Sequence, residues 1–147
     1  MIARVFPLVF RLVVLLVLPA AMAGCSDSPT APTSYAPFSK TDLRVGTGTE
    51  AANGNVVTVR YTGWLYDASK TEQKGLMFDT SAGQSGYSFT LGAGAVITGW
   101  DQGVLGMRGG GLRRLVVPPS LAYGASRNGS IPPYATLLFE IELLNVQ

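Results

Sequence analysis

The sequence predicts an α+β domain: an antiparallel β-sheet packed on one short α-helix. Three observations carry this. Lys40 to Gln147 holds 17 of the chain's 18 glycines, a density of turn residues that cuts the chain into short extended pieces. Between the turns lie β-branched and aromatic runs with a two-residue period. Only one segment shows the apolar spacing of a helix.

The first strand is read from Val57, Val59, Tyr61 and Leu65, which alternate with Thr58, Arg60, Thr62 and Trp64. That pattern buries one face and wets the other. Ser88 to Leu91 is a second short strand, ended by Gly92. Val96 to Leu105 is the helix, with Ile97, Trp100, Val104 and Leu105 as its apolar stripe. Leu112 to Val117 is a third strand, stopped by Pro118 and Pro119, because proline has no N–H to give to a ladder. Thr136 to Val146 is the longest, with Leu137, Phe139, Ile141 and Leu143 on one face and Glu140 and Glu142 on the other. No internal repeat is present.

The chain ahead of this body has a different composition. Of residues 1–24, 19 are hydrophobic. Arg4 and Arg11, the apolar core Leu12 to Leu18, and the small residues Ala20, Ala21, Ala23 and Gly24 read as an export signal. The uninterrupted apolar run, Leu12 to Gly24, has 13 residues, short of the roughly 18–20 that span a bilayer as a helix. Met22-Ala23-Gly24-Cys25 resembles a bacterial lipobox, which implies diacylated Cys25 as the mature N-terminus. The plainer reading is a chance thiol near an ordinary cleavage site. Ser26 rather than Asp follows the cysteine, which favours the outer membrane. Ser26 to Ser39, with Pro29, Pro32 and Pro37 among Ser, Thr and Ala, reads as a disordered tether reaching about 40 Å if extended. The expected organisation is therefore a signal over 1–24, a lipidated cysteine and tether over 25–39, and a folded domain over 40–147.

Composition removes several function classes. The formal charge is +2, and it vanishes with the signal's two arginines. A net-neutral domain offers no electrostatic case for nucleic acid. The chain has no histidine, and Cys25 is its single cysteine. Ser-His-Asp and Cys-His catalysis, imidazole bases, zinc sites and disulfide frameworks are all excluded. Gly106 to Gly111 has the spacing of a phosphate loop but is followed by Leu112-Arg113 instead of Lys and Ser/Thr. Gly92-Ala93-Gly94 lacks the third glycine of a dinucleotide fingerprint. Both read as turns. Arg108, Arg113 and Arg114 read as a solvated strand face, with a basic patch as the alternative.

What remains is apolar. Tyr61, Phe78, Tyr87, Val96, Ile97, Trp100, Tyr123, Ile131 and Phe139 are either core or the walls of a concave site that binds an apolar or amide ligand without covalent chemistry. Asp79, after Leu76-Met77-Phe78, is the most interesting acid. Its bland reading is a turn-initiating residue that bonds backbone amides.

Five motifs then occur in order: Val59-Arg-Tyr-Thr-Gly-Trp-Leu65, Phe78-Asp-Thr-Ser81, Val96-Ile-Thr-Gly-Trp-Asp-Gln-Gly-Val104, Leu121-Ala-Tyr-Gly124 and Ile131-Pro-Pro-Tyr-Ala-Thr-Leu-Leu-Phe139. Together they resemble the FKBP-type peptidyl-prolyl cis/trans isomerases, the macrolide-binding family, from about Leu43 to Val146. The resemblance implies an antiparallel sheet wrapped around a short helix. It implies a proline pocket with Trp100 as floor and Tyr61, Phe78, Tyr87, Val96, Ile97 and Phe139 as walls. The Ile97 N–H and the Tyr123 hydroxyl would bond carbonyls of a bound peptide, Asp79 would lie beside the twisting amide, and Ile131 would line the flap. Catalytic roles fall to Tyr61, Asp79, Tyr123 and Phe139.

Implied partners are proline-containing polypeptides and macrolides such as tacrolimus and rapamycin, with no cofactor. A monomer is expected, since no dimerising helix is visible. Twelve residues, Tyr66 to Met77, form a longer loop than in minimal family members. Ala82 to Gly86 lacks the basic residue that often pairs with the pocket aspartate, Gln84 being the nearest candidate. Asn128 and Gly129 stand in a shortened flap, where a more hydrophobic or histidine-containing sequence is usual. Two readings of function share these motifs: an isomerase assisting exported proteins at a membrane, and a module that binds proline-containing chains with negligible turnover. A surface adhesin using the domain as a scaffold has only the anchor in its favour.

Overall fold

A computed structural model describes residues 35–147. The predicted signal, Cys25 and the tether up to residue 34 lie outside the described residues. Six strands and one helix follow in the order β1 (Ser39–Arg44), β2 (Val56–Tyr66), β3 (Lys74–Thr80), β4 (Tyr87–Thr90), α1 (Thr98–Val104), β5 (Leu112–Val117) and β6 (Leu137–Val146). They form one antiparallel sheet in the order β1-β5-β6-β2-β3, with β4 also paired to β2. The long β2 serves both: Val56 to Val59 pairs with β4, and Thr62 to Tyr66 pairs with β3.

The predicted alternation sets the core. Val57, Val59, Leu137, Ile141 and Leu143 are fully buried, with Phe139 nearly so. Trp100 and Val104 bring α1 onto this face. Close approach needs Gly99 and Gly103, whose missing side chains leave room for Val117 and Leu115 of β5. Spaced four apart, the two glycines lie on one face of the helix.

Several expectations are corrected. The helix is shorter than 96–105: Ile97 is its extended N-cap, and Leu105 turns out to solvent before Gly106, whose φ is +78°. β1 escaped the sequence reading because all six of its residues are exposed and none alternate. Lys40, Asp42 and Arg44 instead give it the charged character of a protected sheet edge. The folded body also begins before Lys40, since Phe38 packs on the core and Ser39 opens β1. β3 lay hidden in the predicted loop 66–77, because a register shift on either side of Trp64 erases its two-residue period.

The arginines form neither a patch nor a simple solvated face. Arg108 pairs with Glu50 at 2.8 Å, and Arg114 with Glu140 at 2.7 Å and Glu72 at 3.2 Å. Arg113 is buried. On the polar face of the sheet Lys74 also joins Glu140, at 2.9 Å, and lies 4.7 Å above the Trp64 ring. This network ties the 67–73 connection to the sheet.

Candidate active site

A cavity of about 410 Å³ opens where the helix meets the sheet, within the size range of small-ligand sites. Trp100, projected from the first turn of α1, is 5% exposed and forms its base. Around it the rings stand edge-on. Tyr61 of β2 is centred 4.9 Å away at 76°, and Phe139 of β6 at 5.3 Å and 85°. Phe78 meets Phe139 at 5.6 Å and 89°. Such T-shaped contacts fix ring positions beyond what area burial alone would do. The Trp100 Nε1 is buried with no hydrogen-bond partner among the described residues.

A bulge brings Phe78 and Asp79 to the same opening. Gly63 faces Asp79 and Trp64 faces Met77, so Phe78 is the extra residue of β3. Successive strand residues normally point to opposite faces, and a bulge re-aims one of them. Gly63 is the matching concession on β2, since a Cβ there would meet Phe78 Cζ at 2.7 Å and Phe139 Cε1 at 2.9 Å.

Asp79 has two local partners. Its Oδ2 accepts a 2.6 Å hydrogen bond from the Tyr61 hydroxyl, and its Oδ1 accepts from the Thr80 N–H at 2.8 Å. The hydroxyl of Thr80, not Asp79, bonds the Ala82 N–H at the turn that follows, so Asp79 lies at the cavity without the turn-initiating role. Burial first, and then the Asp79 carboxylate, push the Tyr61 phenol far above its ordinary pKa. Burial also raises Tyr123, while the Asn128 side chain pulls the other way.

Of the ten pocket residues expected from sequence, nine surround this cavity: Tyr61, Phe78, Asp79, Tyr87, Val96, Ile97, Trp100, Tyr123 and Phe139. Ile131 does not line it. Its side chain is 5% exposed within the core cluster, and its backbone exchanges hydrogen bonds with Asn128. It thus joins the core at the base of the flap. Cys25 lies outside the described residues.

Gly94 and Ala95 also line the cavity and were missed by sequence reasoning, which treated the segment as a plain turn. The available signal was Asp101. Its carboxylate accepts from the Gly92 N–H at 2.8 Å and the Gly94 N–H at 3.1 Å, holding that rim against the helix. At the rim's end the Ile97 carbonyl accepts from Trp100 and Asp101, while the Ile97 N–H donates to no group among the described residues.

Comparison with known proteins decides the family. The family described as FKBP-type peptidyl-prolyl cis-trans isomerase matches residues 47–144. The chain belongs to that family. This FKBP-type domain is 48% identical over 107 residues to an FK506-binding protein of Neisseria meningitidis serogroup B, covering 71% of this chain and 92% of that one. It is 47% identical over 100 residues to the Arabidopsis thaliana peptidyl-prolyl cis-trans isomerase FKBP15-3, covering 68% of this chain and 66% of that protein.

Among solved structures, the Escherichia coli FkpA crystal structure superposes with TM-score 0.64 at 37% identity, over 75% of this chain and 48% of that one. A Pseudomonas syringae peptidyl-prolyl isomerase gives 0.63 at 38% identity, over 75% of each chain. The FKBP-type domain is a peptidyl-prolyl cis/trans isomerase with the antiparallel-sheet-and-helix fold of these neighbours.

Proposed function

We propose that the cavity accelerates X–Pro rotation in exported polypeptides by favouring the twisted amide without covalent chemistry. The carrying observation is the cavity itself: aromatic and aliphatic walls around Trp100, with the Tyr61–Asp79 pair at the edge. Resonance across C–N sets a rotation barrier of about 18–20 kcal/mol. Twisting removes that resonance and with it part of the carbonyl's polarity, so the transition state suits an apolar wall better than water does. The proline ring sits over Trp100 between Tyr61, Phe78 and Phe139. The Ile97 N–H, without a partner among the described residues, and the Tyr123 hydroxyl hold substrate carbonyls on either side, and the neutral Tyr61 phenol stays fixed by Asp79. Each 1.36 kcal/mol of preference for the twisted form gives a factor of ten in rate.

Substrates are extended X–Pro segments with an apolar residue before the proline. Macrolides such as tacrolimus and rapamycin occupy the same cavity and compete with them. Support for the cellular setting comes from sequence: the signal over 1–24, Cys25 in a lipobox-like run, and the Pro-rich segment behind it. The protein is a monomer held by lipid at the periplasmic side of the outer membrane. There it meets exported chains whose folding waits tens to hundreds of seconds on proline.

Refolding of a secreted protein limited by one X–Pro bond tests this. Membranes from cells making the full chain speed the slow phase, and rapamycin abolishes the gain. Cys25→Ser moves the activity out of the membrane fraction without lowering it. Activity that stays membrane-bound in that variant overturns the lipid anchor, and an unaccelerated slow phase overturns the isomerase reading.

A further inference from the structure

Arg113 is 8% exposed, and among the described residues its charge meets a single carboxylate. Asp42 of β1 grips it as a fork, accepting from Nε at 2.6 Å and from Nη2 at 3.1 Å. The remaining nitrogen, Nη1, donates to the carbonyl oxygens of Gly103 at 2.8 Å and Leu105 at 3.2 Å. Those carbonyls are at the carboxyl end of α1, where a cation complements both the unpaired oxygens and the helix dipole. One guanidinium thus joins the N-terminal strand, β5 and the helix.

The seven residues of α1 are too few to hold a helix by their own hydrogen bonds. Its axis is set by what grips its ends and by its glycine face on β5. Gly103 lies one turn beyond Trp100, so a shift at the carboxyl end is transmitted directly to the cavity base.

We propose that Asp42 and Arg113 are a positioning pair for the isomerase site: β1, through Asp42, orients the guanidinium that pins α1, and α1 sets Trp100 and the Ile97 N–H. The inference rests on the cavity being the isomerase site. Without Asp42 the buried guanidinium loses its counter-charge, a costly state that it relieves by turning toward water. The Gly103 and Leu105 carbonyls are then released and the cavity base loosens. An edge strand that contributes no residue to the cavity lining becomes a determinant of turnover.

The test uses the full chain in detergent, with two readouts: kcat/KM on a Leu-Pro peptide, and the indole N–H resonance of Trp100, assigned with Trp64→Phe. Asp42→Ala is expected to lower kcat/KM about tenfold and to move the Trp100 resonance, as loss of orientation at a binding site does. Asp42→Glu restores both readouts to near wild type. Glu50→Ala, which breaks the exposed pair with Arg108, moves neither. Should Asp42→Ala fail to fold, Asp42→Asn keeps the shape and one acceptor, and the same readouts apply. A folded Asp42 variant with wild-type kcat/KM and an unmoved Trp100 resonance overturns the pair's positioning role, whatever its melting temperature. If wild type itself shows no turnover, the isomerase reading fails, and the resonance alone still decides whether Asp42 sets Trp100.

Discussion

The Tyr61 hydroxyl donates a 2.6 Å hydrogen bond to Asp79 Oδ2, joining β2 to the bulged strand β3 at the mouth of the cavity. Among the described residues no cation pairs with Asp79, and the bond accompanies a phenol ring held edge-on to Trp100. Tyr61→Phe removes it and Asp79→Asn replaces its charged acceptor by a neutral amide, both leaving the walls in place. Each is expected to lower kcat/KM about three- to tenfold, the effect of one ordinary hydrogen bond of about 0.5–1.5 kcal/mol at a solvent-exposed carboxylate. Because Asp79 is exposed, the melting temperature stays within a few degrees of wild type. A peptide isomerisation assay beside a thermal melt checks both.

The packing of α1 on β5 predicts a different phenotype. A Cβ at Gly103 or Gly99 has no room beside Leu115 or Val117. Overpacking of this kind costs about 1–3 kcal/mol. Gly103→Ala is therefore expected to lower both stability and turnover, since the helix lifts and carries Trp100 with it. Denaturant unfolding and the peptide assay measure the two together.

Tyr134 has a φ of +58° and is half exposed. Left-handed backbone costs a bulky L-residue about 1–2 kcal/mol, and asparagine tolerates it better. Tyr134→Asn should raise stability by about 1 kcal/mol or less. A lowered denaturation midpoint would show that the ring contributes more than its backbone costs.

Acid should unfold the protein through named pairs. The Arg113 hydrogen bonds hold Asp42 below the usual carboxylate range, against opposing desolvation. Burial pushes Glu140 up, but the bonds from Arg114 and Lys74 outweigh it and leave it lowered. A carboxylate with a depressed folded pKa stabilises the fold above its unfolded pKa, and that contribution is lost as pH falls through the folded value. Stability is thus expected to be flat from about pH 6 to 9 and to fall below about pH 4. Asp42→Asn should flatten the acid limb in melts recorded across that range. Turnover should be equally flat from about pH 6 to 9, because the Tyr61 and Tyr123 phenols are raised and stay neutral and the chain has no histidine.

The sequence exposed most of this architecture wherever burial is one-sided. β2 and β6 bury one face, so Val57, Val59, Ile141 and Leu143 announce themselves through a two-residue period. β1 buries neither face, and the bulge at Phe78 breaks the period of β3, so neither strand leaves an alternation to read. Most wall residues were legible because they fall within the five motifs that carry the resemblance, Tyr87 lying outside them. Ile131 lies in the core beside the cavity lining, and a buried core residue and a lining residue look alike in one dimension. Gly94 and Ala95 line the cavity in a segment whose Gly92 and Gly94 N–H groups are held by Asp101 from the helix. Arg113 was hidden for a related reason: its carboxylate partner lies 71 residues away, and only the pairing of β1 with β5 brings the two together.

Exchange NMR on a Leu-Pro-Phe peptide mixed with the protein tests catalysis by the pocket most directly. Cis and trans resonances should exchange rapidly at catalytic protein concentration. Rapamycin should stop the exchange, and Phe139→Ala should slow it at least about tenfold through loss of a wall that contacts Trp100. A folded protein that binds the peptide yet leaves its exchange at the uncatalysed rate would contradict catalysis and leave a binding module in its place.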